Sequence, residues 1–262
     1  MARQPEGPPP PPTVQKLRLR YAKRGRLRFA SHRDLARALE RALRRAQVPM
    51  AFSAGFTPHP KISYLGAAPT GAASEAEYVE LGLAERRDPE EVRARLDAAL
   101  PPDVAVLECV EAAEGTGALA DRIDAAVWRV ELPGVALAEL QPAVEKFLAS
   151  GVVTVAKRTK NGLRDVDARA PVTSASAVDE AGCAILHMVV RQVTPAVRPD
   201  DVLAALAAVA DLRPPLPPRA VRAAQGRLDD TGAVADPLGP DRAARTRCQG
   251  EHAAARPAEP VA

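Results

Sequence analysis

Stretches of period-two apolar alternation and stretches of helical period follow one another along this chain. That succession restricts it to folds in which helices pack against a sheet. Residues 16–21 put Leu17, Leu19 and Tyr21 on one side and Lys16, Arg18 and Arg20 on the other. Leu27 and Phe29 keep that parity beyond a turn or bulge at Gly25. Ser31 is positioned to cap a helix, with Asp34 at N3, and the helix buries Leu35, Leu39, Ala42, Leu43 and Ala46 before Pro49 stops it. Extended pieces are expected at 50–56, 62–65 and 77–83. Asp88-Pro89 opens a second helix to about Leu100, and 104–110 is a strand. The order is β-α-β-β-α-β, that of a ferredoxin-like sandwich, over about 14–113.

A similar order follows. Strand 126–132, helix 137–150, strand 152–158, a hairpin return through Asn161-Gly162, strand 184–190 and helix 199–212 make a second α/β lobe at 120–225. AAEGTGAL at 112–119 separates the two. The expected class is therefore α+β: two tandem ferredoxin-like α/β sandwiches with antiparallel sheets. Both ends read as disordered, the Pro-rich leader 1–13 and the tail 226–262, which has few bulky apolar residues and no sustained period.

Composition enters through charge. Net charge over the 262 residues is only +3, yet residues 16–45 hold twelve Lys/Arg against two Asp/Glu, a local net of +10, so the rest carries −7. Such asymmetry points to a partner bearing phosphates or acidic side chains. Arginine outnumbers lysine 30 to 6 in an Ala-rich chain, so choosing Arg over Lys is not itself a sign of nucleic-acid recognition. No apolar run reaches the roughly 18 residues of a membrane helix, and the N-terminus lacks the apolar stretch of a secretory signal. Cys109, Cys183 and Cys248 are too far apart for a clustered metal motif, and three scattered thiols fit a reducing cytoplasm.

The blocks Phe29-Ala30-Ser31-His32-Arg33-Asp34, Arg41-Ala42-Leu43-Arg44-Arg45-Ala46 and Gly55-Phe56-Thr57-Pro58-His59-Pro60-Lys61, with the hairpin around Lys160-Asn161-Gly162, resemble the uncharacterised radical SAM-linked family over about 14–225. The domain of that family occurs alone or fused to cobalamin-binding-type radical SAM proteins. The resemblance implies no activity, but it makes a radical SAM protein a candidate partner. The chain is not expected to be the radical enzyme itself. A cluster of that kind needs three closely spaced thiolates, and no cofactor is expected.

Ser31, His32 and Asp34 crowd one helical turn, where cap chemistry explains two of them and convergence into a nucleophile, base and orienter is not expected. His32 and His59 are the weak catalytic candidates, as general acid or base of a metal-independent RNA endonuclease. A metal between them lacks a third ligand. Phe56, Pro58, His59 and Pro60 form a stiff loop suited to docking a partner. The leading expectation is a non-catalytic accessory protein for RNA binding, processing or modification. Arg33, Arg37, Arg41, Arg44, Arg45 and Lys61 would contact RNA or another polyanion, joined by Lys157, Arg158 and Lys160 near the hairpin. No RNP-like aromatic block is present for base-specific readout.

Overall fold

The computed structural model describes residues 10–159 and 162–254. Its class is α+β, with eleven strands and five α-helices among the described residues. The first half runs β1 (Gln15–Lys23), α1 (His32–Arg45), β2 (Ile62–Leu65), β3 (Ala73–Leu83), α2 (Pro89–Ala99) and β4 (Val104–Glu111). The second runs β5 (Ala125–Leu132), α3 (Leu137–Ala149), β6 (Thr154–Thr159), β7 (Gly162–Asp167), β8 (Val172–Glu180), β9 (Cys183–Arg191), α4 (Pro199–Ala210) and β10 (Arg219–Leu228). After it come β11 (Val234–Ala235) and α5 (Gly239–Ala254).

Local chemistry explains the elements. In β1 the alternation holds: Leu17, Leu19 and Tyr21 are buried against Leu35, Leu39 and Leu43 of α1 and Val92 and Leu96 of α2. Helix α1 begins in a reciprocal box. The Ser31 hydroxyl accepts from the Asp34 amide at 3.2 Å, and the Asp34 carboxylate accepts from the Ser31 amide at 3.3 Å. Helix α2 starts at Pro89 with the Asp88 carboxylate accepting from the Glu90 and Glu91 amides. A second core gathers Trp128 and Leu132 of β5, Leu140 and Phe147 of α3, and Val202 and Leu206 of α4.

The two halves do not carry separate sheets. One mixed sheet of nine strands runs β4-β1-β3-β10-β5-β9-β8, with β2 added to β3 and β11 to β10. Strand β10 pairs antiparallel with β5 and meets β3 in parallel through only two residue pairs, Val221 with Ala73 and Arg222 with Ser74. The expectation of two antiparallel sheets is thus corrected: β10 welds the halves edge to edge.

Three further expectations need revision. Residues 50–56 form no strand and contribute only isolated bridges, Met50 to Leu83 and Phe52 to Pro60. Strand β8 was not foreseen, because on this sheet edge its VTSASAVDE sequence is mostly exposed. The tail expected from 226 is structured as far as 254. Leu238 is fully buried, Asp241 is 1% exposed, and both lie over the sheet face away from α1 and α2, with Tyr78, Val110 and Leu119. Gly226 makes this return possible, since a Cβ there would lie 1.7 Å from the Ala235 carbonyl oxygen of β11. Of the expected leader, residues 1–9 lie outside the described residues, and 10–13 have no regular structure.

Candidate functional site

Helix α1 sorts its residues by angle. At about 100° per residue, Arg33, Arg44, Arg37, Arg41 and Arg45 fall within an arc of about 120°, and Leu35, Leu39, Ala42 and Leu43 fill the opposite side. The same arrangement appears in burial: the four apolar residues are at most 7% exposed, while all five arginines are exposed. From Arg33 to Arg45 the stripe is about 18 Å long. None of the five makes an ion pair among the described residues. Their one side-chain hydrogen bond runs from the Arg45 guanidinium to the Ala99 carbonyl at 3.3 Å. Asp34 shares the arc but is committed to the cap. Hydrogen bonds from the Ser31 hydroxyl and amide, then the fields of Arg37 and Arg33, hold its carboxyl below the usual range.

The stripe does not extend onto the neighbouring strand. Arg18 is 4% exposed and bonds Glu80 at 2.9 Å and Asp241 at 2.8 Å. Lys16 bonds the same Glu80 at 3.0 Å, and Arg24 pairs with Glu75. Three of the twelve cations in this segment are therefore ion-paired within the molecule, and five of those without an ion pair among the described residues lie on α1.

The other expected site residues scatter. Lys61 is exposed, and its ammonium donates to the Thr13 hydroxyl at 3.1 Å. Lys157 is taken up by an ion pair with Asp201 and a 2.6 Å hydrogen bond to the Ala196 carbonyl, so it is not a free cation. Arg158 is exposed on β6, and Lys160 lies outside the described residues. His32 is exposed and stacks edge-on against Tyr64, ring centroids 5.1 Å apart. His59 sits in a loop closed by its amide on the Ser53 hydroxyl at 3.0 Å and the Ser53 amide on its carbonyl at 2.9 Å. At the tip of that loop Phe56 is 70% exposed, and Pro58 is also in solvent. Among the described residues no three His, Cys, Asp or Glu side chains gather as metal ligands. No helix there is long and apolar enough to cross a membrane.

One feature had no sequence signal. Between the two halves lies a cleft of about 660 Å³ that includes Arg28, Phe29, Arg198, Leu216 and Arg219. The sequence reads Phe29 as a continuation of strand β1. In the structure it belongs to a 3-10 turn at Gly25–Phe29 and is 59% exposed.

A search of curated proteins finds no match. Among solved structures, an unknown protein from Galdieria sulphuraria is similar at 15% identity, over 75% of this chain and 92% of that one, with a TM-score of 0.23. That score is too low to carry an argument. The family comparison is firmer. A model described as "Uncharacterized protein conserved in bacteria (DUF2344)" matches residues 16–199, from the first strand through the start of α4. On that match, the chain belongs to the DUF2344 family.

Proposed function

We propose that this is a non-catalytic, cytoplasmic RNA-binding accessory protein that holds the phosphate backbone on the arginine face of α1. The observation that carries the reading is the arc of Arg33, Arg37, Arg41, Arg44 and Arg45, exposed together with no carboxylate partner among the described residues. Like charges at this spacing oppose helix formation by a few tenths of a kcal/mol per pair. Lys16, Arg18 and Arg24 of the same segment find carboxylates inside the fold, and the five arginines of the arc do not, which supports a counter-charge from outside. The strand orders β4-β1-β3 with β2, and β10-β5-β9-β8, support taking each half as a ferredoxin-like sandwich.

The test is retention of RNA on a filter across a salt series. Replacing Arg37, Arg41 and Arg44 together by Gln removes three contacts without touching the core. The log–log salt slope on single-stranded RNA is expected to fall by about 2 and affinity by about tenfold or more. An unchanged slope would remove α1 from the interface.

A second reading rests on a different observation. Phe52 and Phe56 are 41% and 70% exposed in one short loop carrying Pro58, His59 and Pro60. That loop suits docking onto a partner protein such as a radical SAM enzyme. Co-purification with an iron–sulfur protein, lost on Phe56→Ser, is its expected result.

A further inference from the structure

We propose that the cleft between the two halves receives one unpaired nucleotide of the bound strand, with its base on Phe29 and its phosphate at Arg28 and Arg198. This rests on the RNA reading above and names the part of the ligand that α1 does not touch.

Four observations converge on it. First, the cleft has the size of a small-ligand site, about 660 Å³, and both halves build it. The turn before α1 and the start of β3 supply one side. The start of α4, residues 216–218 and the start of β10 supply the other. Second, its apolar surface is unusually open. Phe29 at 59% and Leu216 at 53% are among the most exposed large apolar side chains described, and both line this one cleft. An exposed ring beside a second apolar side chain is the platform on which a base stacks, whatever its identity. That answers the missing RNP-like block: one ring gives stacking without sequence readout.

Third, the cationic groups are available. The Arg28 guanidinium lies 4.7 Å from the Phe29 ring centroid, and its Nε is buried with no hydrogen-bond partner among the described residues. Arg198 is exposed and makes no side-chain ion pair among the described residues. Arg219 is less free, 3.7 Å from Glu131. Two acids also line the cleft. Glu131 is already bonded by Arg129 at 2.6 Å, and Asp200 is exposed in the first turn of α4. The amide end of α4 is not the anion site, because the Asp201 carboxylate already accepts from the Arg198 amide at 2.7 Å. Fourth, Phe29 stands two residues before Ser31, the cap of α1. A strand running along the arginine arc past the helix start would next meet the turn that carries Phe29.

The experiment compares a single-stranded oligouridylate with an RNA duplex, which offers phosphates but no free base. Phe29→Ala is expected to weaken oligouridylate binding by about ten- to a hundredfold, the range for losing one stacked base, and to leave duplex binding and salt slope unchanged. Phe29→Trp should keep tight binding. Leu216→Ala, on the other wall, should weaken the oligouridylate in the same selective way. Both side chains are exposed, and matching thermal transitions confirm the fold of each variant. If Phe29→Ala binds oligouridylate like the unchanged protein, the cleft is not a nucleotide site, while the α1 reading stands on its own arginine series. Failure of the RNA reading looks different: the unchanged protein then retains neither RNA at low salt, and both proposals fall together.

Discussion

Glu77→Gln is expected to cost about 3–5 kcal/mol of folding stability, the usual price of leaving a buried charge without its partner. Glu77 is 1% exposed on β3 and pairs with Arg222, 4% exposed on β10. Its other oxygen accepts from the Ala68 amide at 3.2 Å. Arg222 also donates to the Ser74 hydroxyl at 3.3 Å and lies over Trp128, 5.9 Å from the ring centroid. A second cation, Lys23, is fully buried nearby, and among the described residues its hydrogen-bond partners are the Ala68 and Pro69 carbonyls at 3.4 Å. Burial pushes its pKa down, opposed by the field of Glu77. One carboxylate thus offsets two buried cations, and an amide in its place brings no charge to either. Lys23→Met should behave in the opposite way, near neutral or stabilising, because it removes the excess charge and keeps the volume. Urea unfolding of the two variants checks the contrast. A Glu77→Gln loss under about 1 kcal/mol would mean that the junction is wetter than this packing implies.

The second large effect is at Asp241. Its carboxylate gathers Arg18 at 2.8 Å, Arg122 at 2.7 Å, the Thr116 hydroxyl at 3.0 Å and the Ala113 amide at 3.0 Å. It is the anchor that lays the start of α5 over the sheet. Asp241→Ala is expected to destabilise by about 3 kcal/mol, toward the low end for a broken buried pair. Arg18 keeps Glu80, and Arg122 keeps the Thr116 and Pro237 carbonyls. The pH dependence follows. Burial raises the Asp241 pKa, but hydrogen bonds from Arg122, the Ala113 amide, Arg18 and Thr116 outweigh it, and the net shift is downward. A carboxyl depressed on folding stabilises fully above its unfolded pKa of about 4 and loses that contribution as pH falls through the folded value. The gap between the unchanged protein and Asp241→Asn should therefore be constant near neutrality and close below about pH 4. Denaturation midpoints at several pH values measure it.

Both effects lie where the sequence was hardest to read, and the reason is physical. Residues whose apolar partners sit on one face announced themselves: β1, α1 and α2 follow from Leu17, Leu19, Leu35, Leu39, Val92 and Leu96 by period alone. Strand β10 did not, because at this junction burial is achieved by charge pairing. Arg219, Arg222, Gln225 and Arg227 look like a solvated segment until Glu77 and the Ala76 carbonyl are placed opposite two of them. Asp241 was hidden for the same reason, as a lone acid in a polar stretch whose cations come from more than a hundred residues away. The candidate site shows the converse. The arc of Arg33 to Arg45 follows from helix geometry, so it was visible at once. That Lys16, Arg18 and Arg24 are neutralised needed the fold, since their acids come from other elements. The cleft at Phe29 depends wholly on how the halves meet.

The joining strand has a consequence for anyone handling the protein in pieces. The family match stops at residue 199, before β10 begins. A fragment cut there would strip β5 of its neighbour along seven paired positions and leave Ala73 and Ser74 of β3 bare. Two adhesive borders of unsatisfied amides and carbonyls would then face water, inviting association between copies. The matched piece should therefore precipitate or self-associate on its own, and β10 acts as the seal over those two borders in the whole chain.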